Sequence, residues 1–210
     1  MDRTAHWEAV YRTKGETGVG WYQPRATVSL DLIRRVAPRL STPIIDVGAG
    51  ASTLLDGLLD AGYDDVTALD IAPAGLELAR RRLGERAACV RWLVADVRDA
   101  PLAADAYGLW HDRAVFHFLT SDEDRARYVA QVRHAVRPGG HVIVAAFGLD
   151  SPPKCSGLEV RRYGAEAMHG EFGASFHLLD SVREEHRTPS GGVQPFTWCL
   201  CRLEGISSRA

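Results

Sequence analysis

One pattern recurs along this chain and constrains its fold more than any other: an apolar run too short for a helix, a turn, then apolar residues at helical spacing. Ile44-Ile45-Asp46-Val47 passes through Gly48-Ala49-Gly50 into Leu54, Leu55, Leu58 and Leu59, one helical face that stops at Gly62. Residues 66–69 form a second such run, followed by a helix that Pro73 opens and Leu83 closes, proline being suited to a first helical turn. Residues 90–94 and 105–111 read as the third and fourth strands. Ser121 with Asp122, Glu123 and Asp124 makes an acidic helix start, and Tyr128, Val129, Val132 and Val136 carry its apolar face to Pro138-Gly139-Gly140. A fifth strand, 141–147, follows at once. Strands joined through helices pair in parallel, so the alternation predicts a doubly wound, mostly parallel α/β sheet covered on both faces.

The two ends of the chain break this rhythm. After a loop over 148–158 and a short helix near 165–172, two β-rich stretches, 175–185 and 196–203, flank the turn Pro189-Ser190-Gly191-Gly192. With no helix between them they pair antiparallel, which brings the sheet to seven strands. At the other end, 25–40 has helical spacing closed by Pro38 and Pro43. Residues 1–24 are polar, show no long period and carry Trp7, Tyr11, Trp21 and Tyr22. They read as an arm or lid on one domain, 25–210, since 210 residues suit a single core.

Composition narrows the classes of partner. With 25 basic against 27 acidic residues, and no basic run longer than Arg80-Arg81-Arg82, nothing advertises a nucleic-acid partner. No stretch approaches the roughly 20 apolar residues of a membrane span, and the first residues carry no apolar leader. Cys89, Cys155, Cys199 and Cys201 have neither the spacing of a metal site nor the density of a disulfide scaffold. The expectation is a cytoplasmic enzyme without a metal.

In a doubly wound sheet, ligands bind beyond the carboxyl ends of the strands, where the strand order reverses. Gly48 and Gly50 allow a tight turn there and a close approach to the backbone. Asp70, twenty positions past Gly50 at the end of the second strand, is placed to accept ribose hydroxyls. Thr53 stands where a dinucleotide site needs its third glycine, and Asp46 before the turn repels phosphate while suiting an ammonium group. A nucleoside without a pyrophosphate fits better than NAD. Taken together, these motifs resemble the class I S-adenosylmethionine-dependent methyltransferase family over nearly the whole chain. The resemblance implies a Rossmann-like fold with S-adenosylmethionine as cofactor. It places Asp46, Gly48 and Gly50 at the methionine end, Asp70 with Ile71 at the ribose, and Asp96 with Val97 at the adenine. Trp110-His111-Asp112-Arg113 then falls nearest the transferable methyl, and Arg137-Pro138-Gly139-Gly140 resembles the family's turn before its fifth strand.

Asp112-Arg113 after Trp110, with Phe116, His117, Phe118 and Leu119 behind, resembles the thiopurine methyltransferase branch and its small-molecule relatives. That resemblance implies that Trp7, Tyr11, Trp21 and Tyr22 cover the sulfonium. The Asn/Asp-Pro-Pro-aromatic motif of nucleic-acid amino methyltransferases is missing. For an oxygen or amine acceptor, His117 or His111 is the candidate base, with Asp112 orienting it and Arg113 holding an acidic substrate group. A sulfur-type nucleophile needs no base, and Cys155 beside Lys154 is a candidate for handling a soft substrate. The expected function is methylation of a small molecule. A protein lysine methyltransferase and a non-catalytic cofactor-binding subunit are the alternatives. A roomy acidic groove near Asp112 and Cys155 favours protein, and a closed apolar pocket favours a small acceptor.

Overall fold

The computed structural model describes residues 2–205. Its elements run α1 (Arg3–Lys14), α2 (Thr27–Val36), β1 (Ile44–Val47), α3 (Leu54–Asp60), β2 (Val66–Asp70), α4 (Pro73–Leu83), β3 (Val90–Val94) and β4 (Tyr107–Arg113). They continue with α5 (Asp122–Ala135), β5 (Val136–Phe147), a hairpin of β6 (Lys154–Cys155) and β7 (Leu158–Glu159), α6 (Ala165–Phe172), β8 (Phe176–Arg187) and β9 (Val193–Leu203). The main sheet has seven strands in the order β3-β2-β1-β4-β5-β9-β8. The first five are parallel, and β9 pairs antiparallel with both β5 and β8. This is the Rossmann-like architecture that the alternation implies, and its strand order reverses between β1 and β4.

The faces of the sheet follow from strand alternation. Ile44 packs among Leu30, Leu54, Leu58 and Leu76 of α2, α3 and α4, while its neighbour Ile45 packs among Tyr128, Val132 and Phe172 of α5 and α6. β1 is therefore buried on both sides, which is why it reads as a continuous apolar run.

Several boundaries differ from the sequence reading. α2 is shorter than 25–40 because Ala37 closes it ahead of Pro38. β4 begins at Tyr107 because Asp105 adopts a left-handed turn (φ 54°), and it runs on to Arg113. The stretch Arg137-Pro138-Gly139-Gly140 is no free turn. It bulges out of β5 between the pairs Tyr107↔Val136 and Leu109↔His141. The arm holds a helix that its weak periodicity hides. Asp2 caps α1 by accepting from the Ala5 N–H, and Arg12 and Lys14 sit favourably in its last turn.

α1 docks through both apolar and polar contacts: Trp7, Val10 and the buried Tyr11 cluster with Ala72, Ala74 and Leu78 about α4. Arg3 pairs with Asp124 of α5 at 2.7 Å, Glu8 accepts from the Ala74 N–H at the start of α4 at 2.6 Å, and Glu16 beyond the helix pairs with Arg82 at 2.8 Å. The polar centre of the opposite face is a buried triad. Trp110 Nε1 donates to Tyr128 Oη at 2.9 Å, and Tyr128 Oη donates to Asp112 Oδ2 at 2.7 Å. Replacing Tyr128 by Phe removes one hydrogen bond to a buried carboxylate and leaves the indole N–H unpaired. Tyr128→Phe is expected to lower stability by about 2 kcal/mol, read as a lower urea midpoint at unchanged slope.

Candidate active site

The site opens at the carboxyl ends of β1, β2 and β4. Gly48 (φ 67°) and Gly50 (φ 45°) both lie in the left-handed region. A Cβ on Gly48 would collide with Val115, and one on Gly50 with Tyr11 Oη. The turn is thus pressed between the chain after β4 and the arm, with bare backbone at its surface. In front of it lies a cleft of about 730 Å³, shared between the strand ends and the arm. One wall carries Gly48, Asp70, Ile71, Asp96 and Val97, and the facing wall carries Trp7, Tyr11, Trp21, Val115, Phe118 and Leu119. A second chamber of about 510 Å³ lies behind Trp21, Gly48 and Arg113, and is lined by Asp46, His111, Ser29 and Tyr22.

Three of the four arm rings meet in the cleft. Trp7 stands edge-on to Trp21 at 5.6 Å and to Phe118 at 4.9 Å, and Tyr11 stands edge-on to Trp21 at 6.2 Å. Tyr22 is turned into the second chamber. The edge-to-face packing gives the arm a rigid apolar roof.

Asp70 accepts from the Ala72 N–H at 2.8 Å and is 6% exposed. Burial raises its pKa to about 7 against the backbone donors that favour the carboxylate. Asp46 lies beside His111 because the two are register partners on β1 and β4 and share a face. Asp46 Oδ1 is 2.7 Å from His111 Nδ1, His111 Nε2 is 3.0 Å from Ser29 Oγ, and Asp46 Oδ2 is buried without a partner. Asp96 is less free than its position implies. Arg98 takes Oδ1 through Nε at 2.9 Å, and although burial works the other way, these bonds and that charge hold the carboxylate below its ordinary pKa.

The motif after β4 is split by strand alternation, and this corrects three expectations. Asp112 does not orient a base: it points to the opposite face, where it accepts from Tyr128 Oη and from the N–H groups of Val115 at 2.9 Å and Phe116 at 3.1 Å. Burial raises its pKa to about 7. His117 does not face the cleft. Its Nδ1 accepts from the Phe147 N–H at 3.1 Å among Phe118, Phe147 and Phe196, and burial together with the Arg113 charge lowers its pKa to about 3. His111 has both ring nitrogens engaged, so neither histidine offers a lone pair to an acceptor. Cys155 is also corrected. Lys154 pairs with Glu159 at 3.0 Å, and burial raises the thiol pKa to about 11, the reverse of an activated cysteine.

Arg113 faces both chambers. Its Nη1 donates to the Trp21 carbonyl at 2.9 Å, its guanidinium lies 4.5 Å from the centre of the Phe196 ring, and Glu184 comes no closer than 3.9 Å. Nε and Nη2 are buried without a hydrogen-bond partner. Burial, opposed by the Glu184 charge, lowers its pKa to about 10, which keeps it cationic at neutral pH. Two residues of the site were missed by the sequence reading. Ser29 had a readable signal, since helical spacing puts it on the buried face with Leu32 and Ile33. Arg3 had none, because only the docking of α1 brings it to the cleft. Among the described residues, no group of three or more His, Cys, Asp or Glu side chains could hold a metal, and no helix is long and apolar enough to cross a membrane.

Because the folded protein keeps a proton on Asp70 up to about pH 7 that the unfolded chain releases near pH 4, stability of the ligand-free protein falls as pH rises through that window. Asp112 contributes in the same direction. Asp70→Asn is therefore expected to flatten the loss between pH 5 and pH 8 and to exceed the wild type at pH 8, both read by urea unfolding. Identical pH profiles for the two proteins would refute the buried-carboxylate account.

Comparison with known proteins fits this geometry. Residues 44–140 match the family model described as a methyltransferase domain. A zebrafish (Danio rerio) eEF1A lysine and N-terminal methyltransferase is 26% identical over 141 residues, covering 66% of this chain and 20% of that protein. A malonyl-[acyl-carrier protein] O-methyltransferase from Anoxybacillus flavithermus is 31% identical over 131 residues, covering 60% of this chain and 48% of that protein. The chain thus spans less than half the length of either relative. The solved structure of an S-adenosylmethionine-dependent methyltransferase from Anabaena variabilis superposes with a TM-score of 0.74 over 97% of this chain and 96% of the other, at 18% identity, a likeness of fold. Over residues 44–140 the chain thus matches a methyltransferase domain, on a fold like that of an S-adenosylmethionine-dependent methyltransferase.

Proposed function

We propose that this protein methylates a small, anionic or readily ionised acceptor, using S-adenosylmethionine bound at the β1–β4 switch point. The observation that carries the reading is the pairing of buried, unfilled polar atoms with an apolar roof. Asp46 Oδ2 lies unpartnered in the second chamber beside Trp21, and the Nε and Nη2 of Arg113 lie unpartnered between that chamber and the cleft roofed by Trp7, Trp21 and Phe118.

The residues fit the cofactor. Asp46 Oδ2 suits its ammonium group, the bare backbone at Gly48 and Gly50 suits its methionine stem, and Asp70 suits the ribose hydroxyls. Ile71 and Val97 flank the adenine position, where Asp96 keeps only the capacity that Arg98 leaves it. S-adenosylmethionine supplies a methyl group already activated by its sulfonium, so the chain's part is chiefly to align the nucleophile and exclude water. Trp7, Tyr11 and Trp21 exclude water from above, and their ring faces favour a cation. The described residues lining the main cleft include no histidine or cysteine. An acceptor that arrives ionised, such as a thiolate, a phenolate or a carboxylate, fits a site without a base, and Arg113 offers it two charge-assisted donors.

The mostly apolar lining of the cleft favours a small acceptor over a protein lysine. Asp112 and Cys155 are buried and form no acidic groove, although the zebrafish relative bears a lysine methyltransferase name. Binding of S-adenosylmethionine and S-adenosylhomocysteine, with silence towards NAD, is the calorimetric result expected. Affinity for S-adenosylhomocysteine is expected to rise as pH passes through about 7, because ribose hydroxyls need the ionised Asp70 carboxylate, and Asp70→Asn loses that dependence. Binding of NAD alone, or of none of the three, would overturn the cofactor reading. Methyl transfer from labelled donor into protein extract, with none into thiols, phenols or carboxylic acids, would overturn the small-molecule reading.

A further inference from the structure

Three buried polar groups form a chain from α2 into the second chamber and end on an oxygen with nothing to accept. Ser29, His111 and Asp46 are 1%, 2% and 3% exposed, and Trp198 closes over the imidazole with ring centres 6.1 Å apart. With Asp46 taken as a carboxylate and His111 as a neutral imidazole, valence sets the order of donors along the chain. An ionised carboxylate only accepts, so His111 Nδ1 carries the proton towards Asp46 Oδ1. The Nε2 of a neutral imidazole then accepts, and the Ser29 hydroxyl donates to it. Each donor is used in one direction, from Ser29 through His111 to Asp46. Only Asp46 Oδ2 is left over, held in the wall of a chamber from which no described side chain bonds to it.

This arrangement does something that a cationic neighbour would not. A lysine or arginine bonded to Asp46 would fix the carboxylate but neutralise it. A neutral imidazole fixes it while leaving the full negative charge to the chamber. Without that bond, the terminal torsion of an aspartate is broad and roughly two-fold, so nothing would aim Oδ2 at a ligand.

We propose that His111 is a positioning residue for a primary ammonium group. With Ser29 setting its tautomer, it holds Asp46 so that Oδ2 accepts from the amino-acid end of the cofactor. The inference rests on the S-adenosylmethionine reading above and adds to it two residues, His111 and Ser29, that do not touch the ligand.

The test compares two ligands that share an adenosine thioether and differ in the amino-acid end. S-adenosylhomocysteine has the ammonium group and 5′-methylthioadenosine lacks it. His111→Leu is expected to weaken S-adenosylhomocysteine about tenfold or more, the scale of one hydrogen bond to a charged group, and to leave 5′-methylthioadenosine unchanged. His111→Asn, whose amide N–H can still donate to Asp46, is expected to recover most of the loss. Should His111→Leu fail to fold, Ser29→Ala takes its place, with a smaller loss again confined to S-adenosylhomocysteine. Equal weakening of both ligands would mark His111 as merely structural and overturn the proposal, as would undiminished affinity for S-adenosylhomocysteine. A folded wild type that binds neither ligand would overturn the cofactor reading itself, a result distinct from either.

Discussion

His111 on β4 lies beside Asp46 on β1, in parallel register at the one place where the strand order reverses, and the site is arranged around that pair. A carboxylate in a strand buried on both faces is costly unless something bonds it. The neighbouring histidine supplies the bond, and Ser29 of α2 completes it. The same register governs the rest of β4. Since side chains alternate, Asp112 turns to Tyr128 on the α5 face, and Arg113 returns to the chamber face. One strand thereby delivers a structural carboxylate and a chamber-facing cation from adjacent positions.

Charge is left unspent on purpose-built surfaces around this pair. Asp46 and Asp70 are buried acids, the Arg113 side chain keeps 10% exposure, and no direct hydrogen bond joins either acid to it. A fold gains nothing from such groups alone, since each raises the free energy of the ligand-free state. They suit a ligand that carries a cation, hydroxyl donors and, on the acceptor side, an anion. Fixed in advance under a roof of tryptophans, they need little reorganisation when the ligand arrives.

The parts of this design that follow backbone periodicity were legible in the sequence. β1 reads as a short apolar run, Gly48 and Gly50 mark its turn, Asp70 ends the next run, and the β-rich stretches β8 and β9 flank a turn rich in Pro and Gly. Facing was harder to read. Trp110-His111-Asp112-Arg113 looks like one motif on paper, yet its members divide between two faces once β4 is seen to continue through Arg113. His117 lies in a short helical turn after that strand, where no period tells inside from outside, and it points into a phenylalanine cluster. α1 escaped because its partners, apolar ones about α4 and polar ones on α4 and α5, are distant in sequence and leave no mark on local hydrophobic spacing.

Those distant contacts also bear on how specificity is divided in the molecule. On the proposed reading, the strand ends supply the carboxylates and bare backbone of the cofactor side. The other wall is built by the arm, through Trp7 and Trp21, and by the turn after β4, through Val115, Phe118 and Leu119. The Arg113 guanidinium is steadied from elements remote in sequence, by the Trp21 carbonyl and the Phe196 ring of β9. Changes in the arm or in the β8–β9 pair therefore reach the acceptor side while leaving the β1–β4 core untouched. On the proposed reading, the cofactor groups sit on short buried strands and the acceptor groups on an arm docked onto them, so that acceptors can be exchanged without rebuilding the core.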